Sequence, residues 1–212
     1  MTATLYGYWR SSAAYRVRIG VYLKGLAPEQ AFVHLRKGEQ RSPEHLARNP
    51  LGLVPVWREG DFTLGQSLAI LEYLDETHPE PPLLPGDARQ RATIREIALT
   101  IAADIHPIGN LRVLAKLNAD YGMDEAGRAA WNRHWIGLGF AAIEARLAAT
   151  AGRFAAGDSV SLADICLVPQ VYNARRFALD LTPYPTLVRV DENARALPAF
   201  AAAAPETQPD AE

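Results

Sequence analysis

The chain has 212 residues, 49% of them hydrophobic and 22% charged, an ordinary composition with room for one large domain or two small ones. Its 22 Lys and Arg against 24 Asp and Glu give a net charge of −2, without the basic excess of a nucleic-acid binder. No apolar run approaches the ~18 residues of a membrane-spanning helix. The opening MTATLYGYWRSS is expected to be no secretory signal, since it lacks a basic region followed by an apolar one. A single cysteine, Cys166, excludes an internal disulfide and fits a reducing compartment, the cytoplasm. Neither nucleic acid nor membrane is therefore expected among the partners. Five His and one Cys, scattered, make no zinc pattern, so no metal is expected.

Thr4–Trp9 alternates and is rich in Tyr, Leu and Trp, which predicts a strand. Ser11 and Ser12 precede a helical run from Ala13 to Lys24, with Gly25 as its stop. Gln30–Leu35 reads as a second strand. Ser42-Pro43-Glu44 caps a short helix to Arg48, and Asn49-Pro50-Leu51-Gly52 is turn chemistry. Val54–Arg58 and Phe62–Leu64 flank Glu59-Gly60-Asp61 as a hairpin, and Gln66-Ser67 opens a helix from Leu68 to Thr77. The order is βαβ, helix, ββα. Four prolines within Pro79–Gly86 then allow neither helix nor central strand. Beyond them the pattern is helical: from the Asp87 cap to Asp104 or further with a break at Pro107, on to Leu117, then Asp124–Ala149. A capping box at Ser161-Leu162-Ala163-Asp164 starts a helix to Phe177, and Pro183–Leu197 is the last one. The expected organisation is an α/β domain over 1–80, a linker over 81–86, an all-α domain over 87–205 and a fraying acidic tail over 206–212.

Four local features carry chemical potential. In Trp9-Arg10-Ser11-Ser12-Ala13-Ala14-Tyr15-Arg16, two hydroxyls meet the unpaired N–H groups and positive dipole end of a helix, which suits an anion. The same pattern is also an ordinary Ser cap, and no His or Asp adjoins it to make either serine a nucleophile. Val54-Pro55 reads as an edge-strand proline or as a cis proline that leaves the Val54 backbone free to pair with an extended peptide. Gln66-Ser67 is a second helix start, again a cap or an anion site. In the helical half stand Arg112, Arg175 and Arg176, with His106-Pro107-Ile108-Gly109-Asn110 just before the first. Each arginine alone reads equally as a solvated charge, and His106 as a satisfied core residue.

Together these residues resemble the cytosolic glutathione transferases. The local motifs narrow the likeness to the zeta class, the maleylacetoacetate isomerases with their bacterial maleylpyruvate isomerase relatives. The first-half runs are Tyr8-Trp9-Arg10-Ser11-Ser12, Arg16-Val17-Arg18-Ile19, Leu23-Lys24-Gly25, Asn49-Pro50, Val54-Pro55 and Gln66-Ser67-Leu68-Ala69-Ile70. The second half adds Asp104-Ile105-His106-Pro107, Asn110-Leu111-Arg112-Val113-Leu114, Leu167-Val168-Pro169-Gln170-Val171 and Asn173-Ala174-Arg175-Arg176-Phe177. The resemblance spans roughly Leu5 to Pro209. One departure stands out: where the family usually has Cys two residues after the first serine, this chain has Ala13, which argues against any mechanism that needs an enzyme thiol.

The resemblance implies an α/β thioredoxin-like N-terminal domain, an all-α C-terminal domain, a homodimer, and glutathione as cofactor. In that reading Val54, ahead of cis Pro55, pairs with the glutathione backbone. Gln66, Ser67 and their helix start take its γ-glutamyl carboxylate, Gln40 reaches its other end, and His106 and Asn110 line the cleft. Ser11 or Ser12, with the main role assigned to Ser12, lowers the thiol pKa from about 8.5, where only about 3% is thiolate at neutral pH. The implied reaction is cis–trans isomerisation of a maleyl keto acid in aromatic catabolism, by addition of the thiolate, rotation and expulsion. Arg10 and Arg176, with Arg112 as a third candidate, match positions that bind the substrate carboxylates. Two other readings are an ordinary transferase that conjugates or dehalogenates small electrophiles, and a non-catalytic glutathione-binding protein.

Overall fold

The structure, a computed structural model, describes residues 3–212. The chain forms two compact units: residues up to Leu83 together with Ala196–Glu212, and Leu84–Arg195. The division falls inside the proline-rich run, and the last seventeen residues belong with the first unit rather than with the helices before them.

The first unit contains β1 (Thr4–Gly7), α1 (Ser12–Leu23), β2 (Glu29–Phe32), α2 (Pro43–Arg48), β3 (Val56–Glu59), β4 (Phe62–Gly65) and α3 (Ser67–Thr77). Its four strands lie in the order β2-β1-β3-β4. β1 pairs parallel with β2, and the other pairs are antiparallel. The parallel pair is joined by α1, the crossover such a pair requires. The first three strands are shorter than their patterns suggest, while β4 runs one residue further, to Gly65. Tyr8 and Trp9 leave β1 for the turn before α1, where Ser11 N–H donates to the Tyr8 carbonyl at 3.0 Å. Val54 and Pro55 lie ahead of the β3 ladder, whose first pair is Val56 with Gly65. Leu35 belongs to a 3₁₀ turn over Leu35–Lys37 instead of β2.

α1 buries an unbroken run from Ala14 to Val21. It lies so close to α3 that a Cβ on Gly20 would stand 2.1 Å from Leu71 Cδ2. Lys24 Nζ meets Asp75 at 2.6 Å and donates to the Pro81 carbonyl at 2.6 Å, which ties the start of the proline run to both helices.

The second unit holds α4 (Ala88–Leu99), α5 (His106–Ile108), α6 (Leu111–Tyr121), α7 (Glu125–Thr150), α8 (Leu162–Arg176) and α9 (Pro185–Arg195). A wide π-helical stretch, Thr100–Ile105, joins α4 to α5. Pro107 does not break the chain. It sits in the first turn of α5, where its missing N–H removes no needed bond, and the break comes at Gly109-Asn110.

α8 is the buried centre of this unit, with every residue from Ser161 to Val171 inside. The expected capping box forms at its start. The Asp164 carboxylate accepts from Ala155 N–H at 2.8 Å and from Ser161 N–H and Oγ–H at 2.9 Å each. Burial nonetheless pushes its pKa up to about 6, because desolvation outweighs those three donors.

The last helix expected from the sequence, Pro183–Leu197, forms as α9, and a further helix, α10 (Pro198–Ala203), follows it. α9 ends at Arg195 in the second unit, and α10 packs against α1 in the first. The tail does not fray. Gln208 Nε2 donates to the Ala202 and Ala204 carbonyls at 3.0 and 2.8 Å. Asp210 accepts from Trp9 N–H at 2.9 Å, and Glu212 pairs with His34 and Arg36. Net acidity suggested a solvated end, whereas these carboxylates have specific donors in the first unit.

Candidate active site

Within the first unit, three of the expected features are assembled. The first is the start of α1. Ser11 is the N-cap, with extended backbone, and its Oγ accepts from Ala14 N–H at 3.2 Å. Ser12 is the first helical residue, and its hydroxyl makes no hydrogen bond among the described residues. Both serines are partly exposed, as is Ala13. The first turn carries no acidic side chain, so the amide end of the helix keeps its full positive character. The structure distinguishes the serines in a way the sequence does not. The Ser11 oxygen already accepts one hydrogen bond, which polarises its O–H as a donor, while Ser12 is free at both ends.

The second feature is the loop ahead of β3. The Val54–Pro55 peptide is cis. Neither backbone group of Val54 has a partner among the described residues, although Val54 is buried and packs with Tyr8, Trp9 and Val33. The preceding Leu53 carbonyl is held by His45 Nε2 at 3.0 Å and Asn49 Nδ2 at 2.9 Å. Those two residues fix the loop; Asn49 stands out in the sequence as turn chemistry, whereas His45 does not. His45 is buried at the end of an unremarkable short helix, and only the fold shows what it faces. Gln40 lies in a 3₁₀ turn, Glu39–Arg41, and its buried Oε1 has no partner among the described residues.

The third feature is the start of α3. Gln66 is exposed and held at φ +68°, a left-handed conformation that costs a non-glycine residue ~1–3 kcal/mol and collects at functional sites. Ser67 is buried, and its Oγ accepts from Arg16 Nη1 at 3.3 Å. Arg16 is 1% exposed, four residues along α1 from Ser12, and so places a buried cation behind the Ser67 hydroxyl. Arg16 belongs to the Arg16-Val17-Arg18-Ile19 run, to which the sequence assigns no role.

Arg10 stands over the Trp9 ring, 5.1 Å from its centroid.

The second unit places the other candidates. His106 lies in α5 and is half-buried. Asn110 caps α6, its Oδ1 accepting from Arg112 N–H at 3.1 Å, so that oxygen has a structural partner. Trp131 Nε1 donates to the Ile108 carbonyl at 3.1 Å. A Cβ on Gly109 would stand 2.4 Å from Asn132 Oδ1, which fixes how tightly this turn sits on α7. Arg112 is exposed. Arg176 is exposed and stacks over Phe177 at 4.6 Å. Arg175 is a structural cation, 2.7 Å from the buried Asp191. Among the described residues no cluster of His, Cys, Asp or Glu is fit to hold a metal ion, and Cys166 is buried in α8.

A family model described as the glutathione S-transferase N-terminal domain matches residues 1–76. A probable maleylacetoacetate isomerase from Vibrio cholerae is 54% identical over 100% of this chain and 99% of its own length. The chain belongs to the zeta class of the glutathione transferases. Its two units are accordingly the thioredoxin-like and helical parts of that fold. The solved holo structure of a bacterial zeta-class maleyl pyruvate isomerase superposes with a TM-score of 0.97 at 47% identity, covering 99% of this chain and all of that one. A maleylacetoacetate isomerase from Anaeromyxobacter dehalogenans, with dicarboxyethyl glutathione and citrate in its active site, gives a TM-score of 0.89 at 49% identity, covering 100% of this chain and 98% of that one.

Proposed function

We propose that this zeta-class protein is a glutathione-dependent cis–trans isomerase of a maleyl keto acid, maleylacetoacetate or maleylpyruvate, acting in aromatic catabolism. One observation carries the reading. The partly exposed start of α1 offers two hydroxyls and unpaired amides, with no acid, base or thiol of its own. Such a site holds an anionic sulfur; it does not make a nucleophile.

The residues fit glutathione. A tripeptide backbone needs an unpaired strand-like partner, and Val54 supplies one. The buried Oε1 of Gln40 lacks a donor that an amide or ammonium of the tripeptide would provide. Gln66, Ser67 and the α3 start, backed by Arg16, suit its γ-glutamyl carboxylate. When bound, glutathione supplies a thiolate that adds to and leaves the double bond, which is what lets a cis alkene turn trans. The chain's part is to keep that sulfur ionised. Ser11 and Ser12 donate hydroxyl hydrogens to it, Ser11 the more strongly because Ala14 N–H polarises it. Arg10 and Arg176, with Arg112 in support, bind the substrate carboxylates by their planar forks. His106 and the Asn110 amide are assigned to the binding of cofactor and substrate. The dicarboxyethyl glutathione bound by the Anaeromyxobacter relative is a dicarboxylate carried on sulfur, the chemistry this reading requires.

A homodimer in the cytoplasm completes the proposal. Leu99, Leu111, Tyr121 and Leu138 expose apolar surface on the second unit, which suits a contact between copies. The deciding assay mixes protein, glutathione and either maleyl substrate. Turnover of the trans product with glutathione undiminished supports the isomerase. Stoichiometric loss of glutathione would make it a conjugating transferase, and no reaction a binding protein.

A further inference from the structure

We propose that Asp210 and Arg18 are positioning residues for the thiolate site: they grip the peptide units leading into α1 and thereby set where its serines and amides point. The proposal rests on the reading of that helix start given above.

The Tyr8–Trp9 segment joins β1 to α1 and is held from both sides. Trp9 N–H donates to Asp210 Oδ2 at 2.9 Å. The Trp9 carbonyl accepts from Arg18 Nη2 at 2.8 Å, and the Tyr8 carbonyl from Arg18 Nη1 at 3.4 Å. The same Tyr8 carbonyl takes Ser11 N–H at 3.0 Å, so the position of Ser11 follows that of the clamped peptide. Arg18 Nε donates to the Ala203 carbonyl at 3.1 Å, so one guanidinium spans the serine loop and the returning segment. Its side chain is almost wholly buried, and burial lowers its pKa to about 10, with Asp210 the strongest opposing influence.

A buried cation and a nearby carboxylate that both bind backbone are a poor way to gain stability and a good way to impose one geometry. Apolar packing of α10 on α1 already holds the segment down. Within the serine loop the charges act on the backbone of Tyr8 and Trp9, two to three residues before the helix cap. Arg10 follows directly and is oriented by the same peptide.

The test uses the full chain. Asp210→Ala removes the acceptor, whereas Asp210→Asn keeps an oxygen able to take Trp9 N–H. Three quantities are measured: hydrogen exchange at the Trp9 amide, the thiol titration of enzyme-bound glutathione by ultraviolet absorbance, and kcat against KM. In Asp210→Ala, Trp9 exchange accelerates, the bound thiol titrates at higher pH, and kcat falls ~10-fold with little change in KM, as expected of a misplaced group. Asp210→Asn restores all three. The sign is diagnostic. Simple loss of a nearby negative charge would make the thiolate easier to form and lower its pKa. An unchanged or lowered thiol pKa in Asp210→Ala, with kcat intact, overturns the proposal even if Trp9 is freed. Should that variant not fold, Asp210→Glu, which moves the oxygens by one methylene, is put through the same three measurements with the same expectation. Ser11→Ala and Ser12→Ala run alongside. If neither moves the thiol titration, the serine reading fails by itself, and Asp210 is then judged on kcat and exchange.

Discussion

The two serines at the start of α1 separate stability from chemistry, and single replacements expose the difference. Ser11→Ala removes the cap on Ala14 N–H, a 3.2 Å bond, and should cost about 1 kcal/mol of folding stability. For a chain of this size that is a fall in Tm of about 2–4 °C. Ser12→Ala breaks no hydrogen bond and should leave Tm within a degree or so. Both remove a donor from the bound thiolate. A hydrogen bond to a charged group is worth ~1.5–3 kcal/mol, which is ~1–2 pKa units on the thiol. The larger rise is expected for Ser11, whose hydroxyl is polarised. Near neutral pH the first unit removes about threefold of the thiolate from a mostly ionised thiol and each further unit close to tenfold, and kcat/KM should follow. Titrating the thiolate absorbance of the enzyme–glutathione complex gives the shift directly, and thermal melts give the stability. The reasoning is refuted if both variants titrate where the parent does, since the helix amides alone would then hold the sulfur.

Other outcomes follow from the packing and the charges. Gly20→Ala gains up to ~1 kcal/mol of helix propensity but forces a Cβ to 2.1 Å from a buried Leu71 methyl. Overpacking at ~1–3 kcal/mol should win, so denaturant unfolding should show a net loss. The Asp164 carboxyl, raised to about 6 from 3.8, keeps a proton in the folded state that the unfolded chain has released. It therefore weakens folding progressively as pH climbs from about 4 to about 6, and no further above. Carboxyl-carbon NMR should find its midpoint near 6; a midpoint near 4 would mean its three donors outweigh burial. Arg176→Met should raise the substrate KM with glutathione affinity nearly unchanged. Because Arg176 is exposed, the expected cost is about 1 kcal/mol, a fewfold effect. Equal weakening of glutathione would assign Arg176 to the cofactor.

What could be read from the sequence was local. Ser11-Ser12, Val54-Pro55 and Gln66-Ser67 announce themselves because caps and turn prolines act on neighbours within a few residues. Strand ends and breaks were less legible, because ladder partners decide them: Val54 looks like strand but has no partner across β3. Pro107 looks like a breaker, yet the wide turn before it absorbs the ring. His45 and Asp210 passed as unremarkable, and Arg16 and Arg18 carried no assigned role. Their partners lie outside the reach of a local pattern, from Leu53, eight residues from His45, to Trp9 and Asp210, 201 residues apart. An acidic stretch with no apolar period gives no hint that Asp210 and Glu212 have waiting donors.

The placement of Ala196–Glu212 also has a consequence for how the molecule comes into being. The first unit is discontinuous: the whole of the second is inserted between its strands and its closing helix. As the chain emerges from synthesis, β1 to α3 appear early but lack α10 against α1 and the acceptor for Trp9. The helical unit, contiguous in sequence, is able to finish first, reversing the usual order in which the N-terminal domain leads. The part bearing the serines is thus the last to be completed, and a fragment cut at Leu83 would not reproduce it.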